Sequence, residues 1–531
     1  MSSSAHTIDS PRIPPVPVAI NRRDRRRLDW FELAVLAAFG ALSLWVMALN
    51  LWHMAHNGRF WTGADGFWGI DQYQYMAWIS DASKHVLVSN LFVLHPTPHD
   101  YFQPAIAISG ALSALGLAPS VSLLLWKPVA VAVTFFVTRA YANRILTDRL
   151  ARRAALVLAL FFGSFTYVYG SVGTIGDLFP GFLAWGYPFA LLGLAAMVGG
   201  LLLYDRARRA DSLSWWAGAL GAVASLLHPW NGTLLIAAIV GGELMLTRAR
   251  PKKVSELARP ALAITLTALP IGYYFLLGHF DVSWRLAKIA SKHTYPLWPI
   301  VVELVPLLVP ALIVYRRRPQ TFLIAATMAW PIAAFALYGM STTELAATPV
   351  HAFQGVTLPL AILAVEGLRR AGFSRLPYPA VVASILIAGF TIPPTIWQMS
   401  VARRYVKPAT GDANFITKDE HRAMRYLAHD PRPGGVISRL YLGQLVPALT
   451  GRQTFVGDCL WSEPGCITRQ IEVHKLFSGQ MPRSQARELI ESQHARFLLA
   501  DCQPSVSLNK LLGDIIVSVH HFGCATVYDV D

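Results

Sequence analysis

Charged residues are scarce: Asp, Glu, Lys and Arg make up only 15% of the 531 residues, against 54% hydrophobic ones. That balance excludes a soluble globular protein of this length, because so much apolar surface would have no polar coat. Cysteine is scarce too. All four, Cys459, Cys466, Cys502 and Cys524, fall in the last quarter of the chain. Random scatter would do this less than about once in a hundred, so that quarter reads as lying in an oxidising compartment with two disulfides. The local pairing is Cys459 with Cys466 and Cys502 with Cys524, with two other connectivities open. A two-half repeat is also missing from the apolar pattern, which argues against a transporter built from paired bundles around a midplane site.

Long apolar runs take the place of charge. At about 1.5 Å per residue, stretches of about 20 residues cross a hydrocarbon core of about 30 Å, and lipid forces them to be helical. About eleven such spans fall at residues 30–52, 119–142, 154–170, 182–204, 214–228, 231–247, 260–279, 297–315, 320–340, 354–368 and 378–398. Residues 104–116 are too short to cross and are expected to form an interfacial or re-entrant helix. The predicted class is an α-helical polytopic membrane protein with a small C-terminal α/β extracytoplasmic domain. Residues 1–28, polar and proline-rich, are expected to form a disordered basic cytoplasmic tail, and the first apolar run lacks a cleavage site and stays as an anchor. Residues 29–400 form the transmembrane domain, with a large first outer loop at 53–103, and residues 401–531 the exported domain.

Arginine and lysine set the orientation. With eleven spans, the tail shares a side with the clusters at 144–153, 206–209, 248–253, 316–318 and 369–370, and the positive-inside rule makes that side cytoplasmic in a bacterial inner membrane. The net charge of +15 then reflects topology and attraction to lipid headgroups, and gives no support to a nucleic-acid partner. In the exported domain, helices are expected at 419–428, 469–477 and 483–494, and strands at 436–439, 496–500, 515–519 and 525–530. The segment shows no metal-ligand cluster and no nucleophile motif, so support or substrate recognition is its expected role.

Chemistry is expected in the outward loops. The first holds Asp65, Asp71, Asp81 and Asp100 among Phe60, Trp61, Phe67, Trp68, Tyr73, Tyr75 and Trp78; an aromatic belt at the interface accounts for most of these rings. From Asp71 an amphipathic stretch runs to Leu87 as a surface helix. Asp71 stands at its N-terminus, where it either caps the helix or is kept ionised by the helix dipole, as a general base requires. Loop 280–296 carries Arg285, Lys288, Lys292 and His293 against the positive-inside pattern, as a phosphate site or for headgroup contact. His228 stands at the outer end of a short span, and Glu344 and His351 lie in loop 341–353. Asp177 is placed to cap a helix or join the site. Lys127 and Glu303 lie inside apolar runs, where charges are functional candidates or pair with each other.

The layout resembles the GT-C superfamily of membrane glycosyltransferases. The resemblance is carried by Gly69-Ile70-Asp71-Gln72-Tyr73-Gln74-Tyr75 with Trp78 and Ile79, by Phe102-Gln103-Pro104, and by the late loop ending His351-Ala352-Phe353-Gln354. It implies transfer of a sugar from a polyprenyl-phosphate carrier to a glycan, lipid or protein acceptor, with inversion, among membrane lipids. Asp71 is implied as the general base, with Asp65 as a second catalytic candidate; Arg285, Lys288, Lys292, His293 and His351 as phosphate contacts; and Gln72, Tyr75, His228 and Glu344 as cavity residues. Many members carry a tight paired acid in the first loop, whereas Asp65 and Asp71 stand six apart, so no cofactor is assigned and a divalent metal stays possible. Transport and a non-catalytic scaffold are the rival readings.

Overall fold

The computed structural model describes residues 27–65, 69–164, 176–246, 254–292, 296–341 and 348–531. The expected tail up to residue 26, together with Phe67, Trp68, His293 and Glu344, lies outside the described residues.

Each apolar run expected to span contains helix among the described residues, and nine of the helices there are long and apolar enough to cross a membrane. Residues 165–170 of the third run lie outside the described residues, and the fourth run is broken at Tyr187. The helices at two of the expected spans, Arg149–Phe161 and Trp216–Leu227, are shorter. The protein is thus a multi-pass membrane protein.

The first helix, Trp30–Asn57, shows how the two ends of the bundle are kept apart. Asp29 caps it, taking the Glu32 N–H while the Glu32 carboxylate takes the Asp29 N–H. The same two acids hold the basic clusters: Arg149 and Arg153 reach Asp29 at 2.9 and 2.6 Å, and Arg139 reaches Glu32 at 2.8 Å. Twenty-eight residues later, about 42 Å along the axis, the helix stops at Gly58 in the left-handed region. There strand β1, Phe60–Trp61, pairs antiparallel with β2, Phe415–Ile416, which follows the last long helix, Pro379–Tyr405. The arginine-rich end and the end bearing the first loop and the C-terminal segment are therefore opposite.

The 69–82 helix ends at Ala82, short of the expected Leu87, because Lys84 and His85 N–H turn back onto the Asp81 carbonyl. The expected interfacial helix is Pro104–Ala114.

In the C-terminal part, β3 (Gly435–Ser438), β4 (Ala495–Ala500), β5 (Ile516–Phe522) and β6 (Ala525–Val530) form one sheet in the order β3-β4-β6-β5. The β3–β4 pair is parallel and the others antiparallel. Alternation sends Leu498 to one side, with Leu476, Phe477 and Ile490 of the covering helices, and Phe497 and Leu499 to the other. That second side shares an apolar cluster with Trp78, Phe92 and Ile106 of the first loop and the helix after it. Disulfides join Cys459 to Cys466 and Cys502 to Cys524.

Candidate functional site

Asp71 lies in the first turn of the Gly69–Ala82 helix. It does not cap that helix by standing before it: its Oδ2 accepts a hydrogen bond of 2.6 Å from the Tyr187 hydroxyl. Burial raises its pKa, and the Tyr187 hydroxyl and the nearby His351 oppose that rise. A carboxylate whose pKa is raised is a stronger base than one in free solution, and the Tyr187 donor favours its ionised form. Tyr75, one turn on, packs edge-on to Phe189 at 5.0 Å and stands next to Trp78.

A second group of residues meets beside Asp71. His351 Nδ1 and Asp177 Oδ2 are 2.9 Å apart, and the His351 ring meets His228 edge-on at 4.9 Å. Burial alone would raise Asp177, but the neighbouring His351 more than reverses this and holds it below the usual carboxylate range. The backbone makes room at Gly355, whose N–H binds the Asp177 carbonyl at 2.9 Å. Its φ of +65° and a Cβ that would lie 2.4 Å from Leu194 both demand glycine. Gln354, fully buried, approaches His228 Nε2 at 3.4 Å.

His228, His351 and Lys288 line one cavity of about 410 Å³, whose remaining wall is mostly apolar, including Ile271, Phe275 and Leu337. Burial and the neighbouring His351 push the pKa of His228 down to about 3, so Lys288, with His351 beside Asp177, is what an apolar cavity offers to an amphiphile with an anionic head. Lys292 lies just past the Val282–Ala290 helix, next to Ser291, whose carbonyl accepts from Thr348 N–H at 3.3 Å. Arg285 is on the same helix but exposed.

The C-terminal part, expected to give support or substrate recognition, brings residues to the site that the sequence does not single out. Asp458 is buried, with Oδ1 held by Leu460 N–H at 2.9 Å and Oδ2 without a hydrogen-bond partner. Burial, reinforced by the charge of Asp71, pushes its pKa up to about 7. Three residues on, Trp461 packs against Trp78 at 5.2 Å and Trp284 at 4.9 Å, and Tyr101 closes the group at 4.5 Å from Trp78. These rings form a wall beside the site, and of the first-loop rings expected in an interfacial belt Trp78 is part of it. The Gly457-Asp458-Cys459-Leu460-Trp461 segment carried no motif, and the single signal was the nearby cysteine.

Two expected site residues turn out to be structural. Asp65 is fully buried in an ion pair with Lys127, which also donates to the Trp185 carbonyl at 2.7 Å. Lys127 is thus paired with Asp65, not Glu303. Gln72 spends both ends of its amide on backbone, accepting from Asp65 N–H at 2.9 Å and donating to the Gly186 carbonyl at 3.3 Å. Each satisfies a polar group that burial would otherwise leave without a partner. Among the described residues, no grouping of three metal-type ligands includes Asp71.

A helical membrane bundle with a large acidic first loop folded against a C-terminal α/β segment is the fold of the GT-C glycosyltransferases, and the chain has that fold. It is similar to the Archaeoglobus fulgidus oligosaccharyltransferase in its apo form, with TM-score 0.55 and 14% identity over 89% of this chain and 70% of that one. The same enzyme in complex with an inhibitory peptide and a dolichol-phosphate gives TM-score 0.50, 14% identity and 89% and 69% coverage. The mycobacterial arabinofuranosyltransferase AftD gives 0.52 and 15% identity over 95% of this chain but only 40% of its own length. No family model and no curated protein matches the sequence.

Proposed function

We propose that this chain is an integral membrane glycosyltransferase that moves a sugar from a polyprenyl-phosphate carrier to an extracytoplasmic glycan, lipid or protein acceptor, with inversion at the anomeric carbon. The observation that carries the reading is the Asp71 carboxylate, held by Tyr187 at 2.6 Å and electrostatically coupled to His351, which lines the apolar cavity together with Lys288. The archaeal oligosaccharyltransferase of the same fold has been solved with a dolichol-phosphate, which supports a lipid-phosphate donor here.

Asp71 removes the acceptor hydroxyl proton as the oxygen attacks the anomeric carbon. The bond from that carbon to the carrier phosphate breaks through an oxocarbenium-like state, and the lipid phosphate departs with the electron pair. One strong base suffices, since a phosphate leaving group needs little protonation; a glycosidase needs a second carboxyl. Lys288 and His351, with Lys292 nearby, meet the growing phosphate charge in a site poor in water. The apolar wall takes the isoprenoid.

In this reading the end bearing Asp71 and residues 401–531 faces the outside of a bacterial inner membrane. Residues 1–28 and the arginine clusters face the cytoplasm, as the charge asymmetry and the disulfides both support. The test is transfer of radiolabelled sugar from defined polyprenyl-phosphate donors by the purified protein. Asp71→Asn is expected to lose about 10²–10⁴-fold in rate at equal folded yield; full activity in that variant would remove Asp71 as base.

A further inference from the structure

At the far end of the helix that begins near Asp71, three metal-type ligands converge outside the site just described. Asp81 is 6% exposed, and its Oδ1 lies 2.9 Å from His85 Nδ1. His99 approaches from the returning strand of the loop, with Nε2 3.5 Å from Asp81 Oδ2. The two imidazole rings are 4.1 Å apart, and one ligand atom from each of the three residues lies within 4.8 Å of the others.

We propose that Asp81, His85 and His99 bind a divalent transition-metal ion of the zinc class, with water in the remaining position. Asp81 Oδ2 accepts from the N–H and Oγ of Ser89 at 2.8 and 3.0 Å. One carboxylate and two imidazoles from separate stretches of the loop thus converge closely enough to share one ion, which would take lone pairs from the ring nitrogens and a carboxylate oxygen.

The Ser89 contacts are what a ligating carboxylate needs around it: they fix its orientation and leave Oδ1 for the ion. Tetrahedral ligands at 2.0–2.1 Å stand about 3.3 Å apart. The histidines, 47% and 42% exposed, have room to close that gap and leave the ion a path from solvent. The composition of one carboxylate and two imidazoles favours zinc-class ions over magnesium or calcium, which prefer oxygen.

The ion would staple the loop. Residues 83–103 are closed by the Val88–Tyr101 bridge, with N–H to carbonyl bonds of 2.9 and 3.2 Å, and Tyr101 leans on Trp78 and Trp284. Joining Asp81 and His85 to His99 fixes the strand that delivers Tyr101 to the aromatic wall.

The test is titration of the untagged full-length protein, stripped with chelator in detergent, with Co²⁺ followed by Zn²⁺. One equivalent of Co²⁺ per chain is expected, with a visible ligand-field band that Zn²⁺ abolishes. The band should vanish in His99→Gln and in His85→Gln, which keep a polar side chain at an exposed position. It should persist in Asp71→Asn, which separates this site from any ion at the proposed base. Absence of a stoichiometric band in the wild type, its survival in both histidine variants, or its loss in Asp71→Asn would overturn the proposal.

Discussion

At the scale of the residue, Asp71 is balanced between neighbours that act on it in opposite directions. The Tyr187 hydroxyl stabilises its ionised form, since a donor pointed at a carboxylate lowers the pKa. Like charge acts the other way: Asp177 raises the pKa of Asp71, and Asp458, itself raised by the charge of Asp71, disfavours ionisation of Asp71 whenever both are charged. If Asp71 is the base, activity falls as pH drops through its raised pKa, because the protonated acid accepts nothing. Tyr187→Phe should move that acid limb to higher pH. With an ionic hydrogen bond worth about 1.5–3 kcal/mol, the loss at acidic pH is about tenfold or more, shrinking toward alkaline pH. Asp458→Asn should move the limb to lower pH. A pH profile of kcat/KM for the two variants against wild type reads both signs, and shifts in the same direction would contradict this account.

Asp65 makes the contrasting case. Removing it by Asp65→Ala leaves Lys127 charged and buried, and that is expected to cost about 3–5 kcal/mol. The double variant Asp65→Leu/Lys127→Met should recover most of the thermal stability in detergent, because two apolar groups need no partner. Failure of the double variant to recover would indicate a role for the pair beyond mutual neutralisation.

At the scale of the element, the Gly69–Ala82 helix is positioned by close packing rather than by its own propensity. A Cβ on Gly110 would sit 2.4 Å from the Ala82 Cβ and 2.6 Å from its carbonyl carbon, so the helices Gly69–Ala82 and Pro104–Ala114 touch through glycine. Gly110→Leu should force them apart, at about 1–3 kcal/mol for overpacking. Transfer rate should fall along with the melting temperature, because the displaced helix carries Asp71. Unchanged activity with lowered stability would mean that the helix position is not critical.

Elements of this kind were readable in the sequence wherever a local pattern defines them. Long apolar runs gave the membrane helices, and short runs with two- or 3.6-residue periods gave β3, β4, β6 and the helix Lys418–His429. The position of Asp71 at the start of a helix was readable as well, while its role as base came only from the resemblance to the GT-C superfamily. Asp458 and Trp461 were not, because their meaning comes from contact with a helix far away in the chain. The Lys127–Asp65 pair escaped for the same reason: an intramembrane charge announces that it needs a partner, but not which carboxylate folds onto it.

At the scale of the whole molecule, the C-terminal part is tied to the bundle by the β1–β2 pair, by the shared apolar cluster and by the contact of Trp461 with Trp78 and Trp284. It therefore supplies side chains to the site instead of standing apart from it. The two disulfides play different parts in this. Cys459–Cys466 closes a loop of 7 residues that includes Trp461 and begins beside Asp458, and Cys502–Cys524 closes one of 22 residues between the end of β4 and the β5–β6 turn. Chain-entropy arguments assign them about 2.5 and about 3.4 kcal/mol respectively. Cys502→Ser/Cys524→Ser should therefore cost the larger drop in melting temperature, while Cys459→Ser/Cys466→Ser should cost less stability but more transfer activity, because it loosens the segment holding Asp458 and Trp461 against Asp71 and Trp78. Measuring both quantities on both pairs separates the effects. If activity followed stability alone across the two variants, the C-terminal part would be acting as a brace and not as a wall of the site.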